Sequence, residues 1–312
     1  MPFDFAAVSA PFRMQPGLRR MAADATHLTP NRIGDRALDE KLAVLQRWPA
    51  DALVAADGFD RGAALDALCA LAAREHPAAF VRDGDAVEAR LLGWRLHDGK
   101  LRGEGPVEIG DCIAAQPPTW RLPALLCLAF AEDFAVIDGT TARIPWIAAC
   151  LPSHWDPTQK VGRHFAEVHG PVADNQMLLA ATDHLARLVT GQDRWERFVW
   201  TITRTPTLQM HPAHVAAMSW PVDADPERLA AAACFRTEHQ TFVPVPAAKQ
   251  AVFTIHVESQ PLVQAVDSAA RARQLHDALA SMSPAVLAYR GLGDARDRLL
   301  RWLVERAARP PT

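Results

Sequence analysis

Two stretches of this 312-residue chain carry side chains able to ligate a cofactor or move protons. The first runs from Pro152-Ser153-His154-Trp155-Asp156-Pro157 into a segment that reads as a helix from about Thr158 to His169, stopped by Gly170-Pro171. On such a helix Lys160 and His164 share a face, as do Phe165 and His169. His164 and His169 diverge by ~140° and do not meet on one ion. A single neutral imidazole at a helix end, beside Phe165 and Val168, suits two roles: a structural or capping histidine, or the one protein nitrogen that a haem iron needs. The second stretch, Cys234–Thr241, alternates as a strand, with Arg236, Glu238 and Gln240 on one face and Phe235, Thr237, His239 and Thr241 on the other. Neither face is uniformly apolar, which marks either a pocket wall or an edge strand carrying a solvated Arg/Glu pair. A third feature, His211-Pro212-Ala213-His214, brings two imidazoles together. No nearby carboxylate or cysteine completes a metal set there, so it reads as a polar loop.

Other chemistries lack their residues. Gly291-Leu292-Gly293 follows a helix and has no third glycine, and neither a phosphate loop nor a nucleophile elbow occurs. The five cysteines, Cys69, Cys112, Cys127, Cys150 and Cys234, form no CxxC pair, which argues against an iron–sulfur cluster or a cysteine-held zinc. A formal charge of −3, from 33 Lys+Arg against 36 Asp+Glu, argues against nucleic acid as a partner. The start, MPFDFAAVSAPFRM, is not a signal peptide, and no window reaches the ~18 apolar residues of a membrane span. No membrane association and a cytoplasmic location are the expectations.

The elements that must position these residues follow from hydrophobic spacing. The first thirty-odd residues read as an irregular arm, followed by a helix from Asp35 carrying Leu38, Leu42, Leu45 and Trp48. A second helix starts at Asp60 and ends at His76-Pro77. Short antiparallel strands over 78–118 precede a buried helix at Leu122–Phe130 and a strand at Phe134–Ile137. The apolar run Ile144–Leu151 reads as a central strand, and Asn175–Val189 as an amphipathic helix. Strands are expected at Arg197–Arg204, Ala231–Val243 and Gln250–Glu258, the last two forming a hairpin through Pro244–Lys249. Helices at about Pro261–Met282 and Asp294–Ala308 end the chain. The pattern is α+β with an antiparallel sheet.

Two segments together resemble a known family. Trp155-Asp156-Pro157-Thr158-Gln159-Lys160-Val161-Gly162-Arg163, continuing to Val168-His169-Gly170-Pro171-Val172, resembles the W-x-P-x-x-K-x-G … I-H-x-P-V-P stretch of the haem-dependent oxidative N-demethylase alpha-subunit family. Arg236-Thr237-Glu238-His239-Gln240-Thr241, followed by Ala251-Val252-Phe253-Thr254-Ile255, resembles its R-x-E-R-Q-T … V-F-T-I hairpin. Pro11-Phe12-Arg13-Met14 and Ala131-Glu132-Asp133-Phe134 are weaker echoes, in family order. Ala173, His239 and Ala131 depart from the pattern, standing in place of proline, arginine and glutamine.

The resemblance implies a single haem b domain over 1–312, built on a PAS-like antiparallel sheet flanked by helices. A helical N-terminal arm (about 1–77) and C-terminal helices (about 261–308) extend it. It implies that His169 is the iron's proximal ligand, that Arg236 and Glu238 line the opposing pocket, and that Arg236, Arg163 or Lys160 pairs with the haem propionates. The reaction implied is oxidative N-demethylation of a small secondary amine such as dimethylamine, with dioxygen and two electrons, releasing formaldehyde. Glu238 would face the ammonium group, since an unpaired buried cation is costly. Electrons would come from separate NADPH-dependent reductase subunits carrying flavin and an iron–sulfur centre. The alternatives are a haem-PAS sensor or haem-binding protein without turnover, and a non-haem module in which His169 only caps a helix.

Overall fold

The computed structural model describes residues 3–170, 172–216 and 218–308. The arm crosses the molecule as a loop with a short strand, β1 (Arg19–Arg20), and then enters α1 (Arg36–Arg47), which buries Leu38, Lys41, Val44 and Leu45 along one side. A single turn, α2 (Pro49–Ala52), and a short strand, β2 (Leu53–Ala55), lead to α3 (Gly62–Glu75), whose Leu65, Leu68 and Leu71 face the core. Four short strands follow: β3 (Phe80–Asp83), β4 (Ala86–Ala89), β5 (Trp94–His97) and β6 (Lys100–Gly103). They form a separate antiparallel sheet in sequence order. Then come α4 (Val107–Ala114) and α5 (Pro118–Ala129), the latter started by proline at its first position, where no N–H is missed.

The main sheet is assembled from β7 (Glu132–Asp138), β8 (Arg143–Ala148), β9 (Trp195–Thr203), β10 (Cys234–Val245) and β11 (Gln250–Pro261). Between β8 and β9 lie three short helices, α6 (Phe165–His169), α7 (Gln176–Ala180) and α8 (Thr182–Val189). α9 (Pro226–Ala231) precedes β10. The chain ends in α10 (Leu262–Ala265), α11 (Ala269–Ala280), α12 (Pro284–Tyr289) and α13 (Arg296–Ala308). The strand order is β1-β9-β10-β11-β7-β8-β2, and the pairs are antiparallel. This is the expected α+β architecture, an antiparallel sheet flanked by helices. The longest ladder is the β10–β11 hairpin, turned by Pro246–Ala248 and by Lys249 at φ 52°.

Five expectations need correction. The stretch 78–118, expected as short strands, ends in α4, and Pro261–Met282, expected as one helix, starts in β11 and divides into α10 and α11. The continuous helix from Thr158 to His169 is broken: a 3-10 turn at Pro157–Gln159 gives way to Gly162 at φ +77°, which no β-carbon-bearing residue adopts cheaply. The chain there pairs instead with β8, through Gly162 N–H to Ile144 O (2.8 Å) and Ile144 N–H to Arg163 O (3.1 Å). The helix restarts at Phe165, with the His164 ring accepting from Ala166 N–H and Glu167 completing a capping box. Lys160 and His164 therefore share no helical face. The apolar run at Ile144–Leu151 gives β8, which lies between β7 and the three-residue β2 near one end of the sheet, not at its centre. It is apolar because both of its faces are covered. Asn175–Val189 divides into α7 and α8 around Ala181.

Candidate haem and substrate site

Strand register assembles one face of the central sheet. Arg236, Glu238 and Gln240 on β10 stand opposite Thr201, Val199 and Arg197 on β9 and opposite Ser259, Val257 and Ile255 on β11. Directly paired residues share a face, so these nine side chains form one surface. Its middle is open: Arg197, Val199, Thr201, Glu238, Gln240 and Phe253 are all half-buried. The neighbouring patch, Ala135 and Ile147, lies under Trp155, Val161, Phe165 and Val168, so α6 and the turn before it pack on the same face.

Arg236 is 1% exposed, and its donors are already engaged. Its Nε donates to Ser153 Oγ (2.9 Å), one terminal nitrogen to Thr207 O (3.0 Å), and the other to Leu208 O (2.7 Å) and Leu151 O (3.3 Å). It therefore staples the loops at 151–153 and 207–208 to β10. Burial pulls its pKa down to about 10 against the opposing pull of Glu238. Ser153 Oγ donates to one Glu238 oxygen and Gln240 Nε2 donates to the other. The Glu238 carboxylate is thus held in place on a half-open floor. His154, beside Ser153, takes a left-handed backbone at φ 61°, and burial holds its imidazole below the usual range.

His169 closes α6. Its Nδ1 lies 2.8 Å from Phe165 O, and its ring is tilted against the Phe165 ring at 4.2 Å. A carbonyl only accepts, so Nδ1 carries the proton. Burial pushes the imidazole pKa down to about 4, with Arg197 and Lys160 adding repulsion. The ring is therefore neutral near pH 7, and its Nε2 lone pair has no hydrogen-bond partner among the described residues. Lys160 stands close by, with Nζ donating to Val168 O (3.0 Å) and its pKa lowered by burial. Arg163 is exposed. So the structure brings His169 and Lys160 together, turns Arg163 outward and commits Arg236 to backbone carbonyls.

Residues 62–300 match the family model described as haem-dependent oxidative N-demethylase, alpha subunit-like. The chain belongs to this family. A search of curated proteins finds no match. The matched span contains His169, Arg197, Arg236 and Glu238 and leaves residues 1–61 outside. An alpha-subunit-like member of a haem-dependent N-demethylase family belongs to a multi-component system.

The donor set fits the group this family uses. Haem iron takes one protein nitrogen, and a neutral histidine whose Nδ1–H is tied to a carbonyl presents Nε2 for it. Haem propionates take cations, and Lys160 and Arg197 stand beside that histidine. Arg197 was missed from the sequence. Nothing in Trp195–Thr203 distinguishes it from the chain's other arginines, and only the pairing with Gln240 places it on the site face. The other candidate set dissolves. His214 stacks on Trp48 (4.0 Å between rings) and meets Asp51 at 2.7 Å, while His211 meets Asp156 at 3.3 Å. Among the described residues no group of three or more His, Cys, Asp or Glu is arranged to hold a metal ion, and none of the helices is long and apolar enough to cross a membrane.

Proposed function

We propose that this protein is the haem b-bearing oxygenase component of an oxidative N-demethylase that acts on a small secondary amine such as dimethylamine. The observation that carries the reading is the His169 imidazole, made neutral by burial and locked at Nδ1, beside an open sheet floor holding Glu238. The PAS-like reading is supported by connectivity. Numbered among themselves, the five long strands run 2-1-5-4-3, with the helical segment between the second and third. The whole chain is read as one unit, its arm laid back over the sheet.

Bound haem supplies the activation of dioxygen by two electrons. His169 would hold the iron through Nε2, and Lys160 beside it, or the exposed Arg163, would pair with a propionate. Glu238 receives the substrate ammonium by a charge-assisted hydrogen bond and accepts its proton, leaving the nitrogen lone pair free. Ser153 and Gln240 hold that carboxylate so that it need not reorient. Arg236 fixes Ser153. Overall, R–NH–CH3, dioxygen, two protons and two electrons give R–NH2, formaldehyde and water. No cysteine cluster or nucleotide loop is present among the described residues to relay electrons from NADPH, which suits delivery by separate flavin and iron–sulfur subunits in the cytoplasm.

A small, partly open void between α8 and the sheet, lined by Phe165, Ile137, Leu185, Phe242 and Arg197 among others, measures only about 20 Å³, room for about one water molecule. That space is far too small for a macrocycle, so haem bound there would need the α6 and α8 helices displaced from the sheet. Expression with a haem precursor should give a Soret band that shifts on adding dimethylamine, with formaldehyde released under a surrogate reductant. Absence of the band from a folded protein overturns the reading. A band without formaldehyde reduces it to a haem-binding or sensor protein.

A further inference from the structure

Among the described residues Arg197 makes no hydrogen bond and no close ion pair, and its charge is opposed only at a distance, by Glu238. Its Nε is sealed from solvent. Other arginines near this sheet have partners: Arg236 has three carbonyls and Ser153, Arg19 has Asp4 and Glu196, and Arg290, whose Nε is also unpartnered, still donates from a terminal nitrogen to Trp200 O. A guanidinium N–H sealed from water without a partner costs stability. Evolution retains such a cost where a ligand repays it.

The surroundings define the missing partner. Arg197 lines the small void beneath Phe165 with apolar neighbours Ile137, Val189 and Phe242, where an opposite charge is weakly screened. It lies one diagonal step from Glu238 across the β9–β10 ladder, a separation of ~7–8 Å for such pairs. Glu238 does not close on it, because Ser153 and Gln240 hold that carboxylate. A planar guanidinium fork matches a carboxylate best.

We propose that Arg197 is a carboxylate-binding residue, and that the ligand of this face carries an acid group set against Arg197. Two sources share this chemistry: an N-methylated amino acid bridging Glu238 and Arg197, or a porphyrin propionate. The second rests on the haem reading above; the first requires only the open face.

Two paired titrations separate the sources. Wild type and Arg197→Met are titrated with haem and with haem dimethyl ester, read by the Soret band. Both proteins, with and without haem, are also titrated with N-methylglycine and with dimethylamine, read by calorimetry. Wild type should prefer the acid-bearing member of at least one pair by roughly tenfold or more, and Arg197→Met should abolish that preference. The pair affected names the source. Arg197→Lys, which keeps the charge but not the fork, should restore part of it. Arg197→Met should also raise the Tm of the haem-free protein, because it removes an uncompensated charge. Unchanged preferences in both pairs overturn the proposal, and a fall in Tm alongside them shows a structural arginine. A protein that takes up no haem sinks the cofactor reading, while the N-methylglycine pair still decides Arg197.

Discussion

Strand β10 is polar on both faces, and the two faces have opposite fates. Behind Glu238 and Gln240 lies a surface carrying His239, Thr237 and Thr241, joined by Glu196 from β9 and by His256 and Thr254 from β11. There the polar groups answer each other. His239 Nε2 meets Glu196 at 2.8 Å, His256 meets Glu132 at 3.3 Å, and Thr241 Oγ1 lies 2.7 Å from Thr254 Oγ1. The arm seals the surface: His27 Nδ1 lies 2.8 Å from Thr241 Oγ1, Thr29 N–H donates to Glu132, and Arg19 pairs with Glu196. On the open face, by contrast, the Nε of Arg197 is sealed without a partner, and the Nε2 of His169 makes no hydrogen bond among the described residues. Polarity alone does not mark a ligand site in this sheet. Unfilled hydrogen-bonding capacity on a charged or metal-ligating group does, since the sealed side leaves only an indole N–H, that of Trp200, without a partner among these residues, and an unmet buried group costs ~1–3 kcal/mol.

Substitutions on the two sides should therefore fail in different currencies. His169→Ala has the largest expected effect: haem uptake is lost, with far-ultraviolet circular dichroism unchanged. His239→Gln, on the sealed side of β10, should keep the Soret band. Equal haem content in the two variants would remove the ligand assignment.

Lys41→Met tests a buried ion pair at the covered end of the Glu238 face, where Asp133 stands opposite Ile255. Lys41 is 0% exposed, pairs with Asp133 at 3.1 Å and donates to Phe130 O and Glu132 O. Its loss leaves a buried carboxylate uncompensated and should destabilise the protein by about 3–5 kcal/mol, read from the denaturant midpoint. Glu238→Gln should weaken amine-induced spectral change by about tenfold to a hundredfold with little change in stability. Glu196→Gln should do the reverse, costing ~1–3 kcal/mol of stability while leaving amine affinity alone. If both glutamate variants lose amine affinity alike, the contrast between faces is wrong.

Much of this was legible from residue order. The alternation from Arg236 to Thr241 gave the two faces of β10, and Pro244–Lys249 gave the hairpin, because strand period and turn chemistry are local. His169 could be named because a short motif surrounds it. Hidden were the facts that depend on partners distant in the chain. Arg236 looked like a pocket residue, yet carbonyls 28 to 85 residues away occupy its donors. Arg197 looked ordinary until cross-strand pairing placed it. Gly162 broke an expected helix because β8 offered its edge to the chain instead. Spacing shows which residues share a face, but not which of them are already satisfied.

The smallest expected effect concerns protons on the sealed face. Arg194 Nε donates to His27 Nε2 (3.0 Å), so that nitrogen must accept, and Nδ1 carries the proton towards Thr241. Protonating Nε2 would set an N–H against a guanidinium, and burial with Arg194 nearby holds the pKa at about 3 against an ordinary 6.5. The unfolded chain therefore binds a proton below about 6.5 that the folded chain refuses until about 3. Stability contributed by neutral His27 is complete above the upper value and falls as pH drops through the window. From about pH 7 to about pH 5 the loss for this one group is about 2 kcal/mol. Urea melts of wild type and His27→Gln at both pH values should show a pH dependence smaller by that amount in the variant. Parallel curves would mean that the arm does not hold a neutral imidazole over Thr241, and the sealed face would then be open to protons after all.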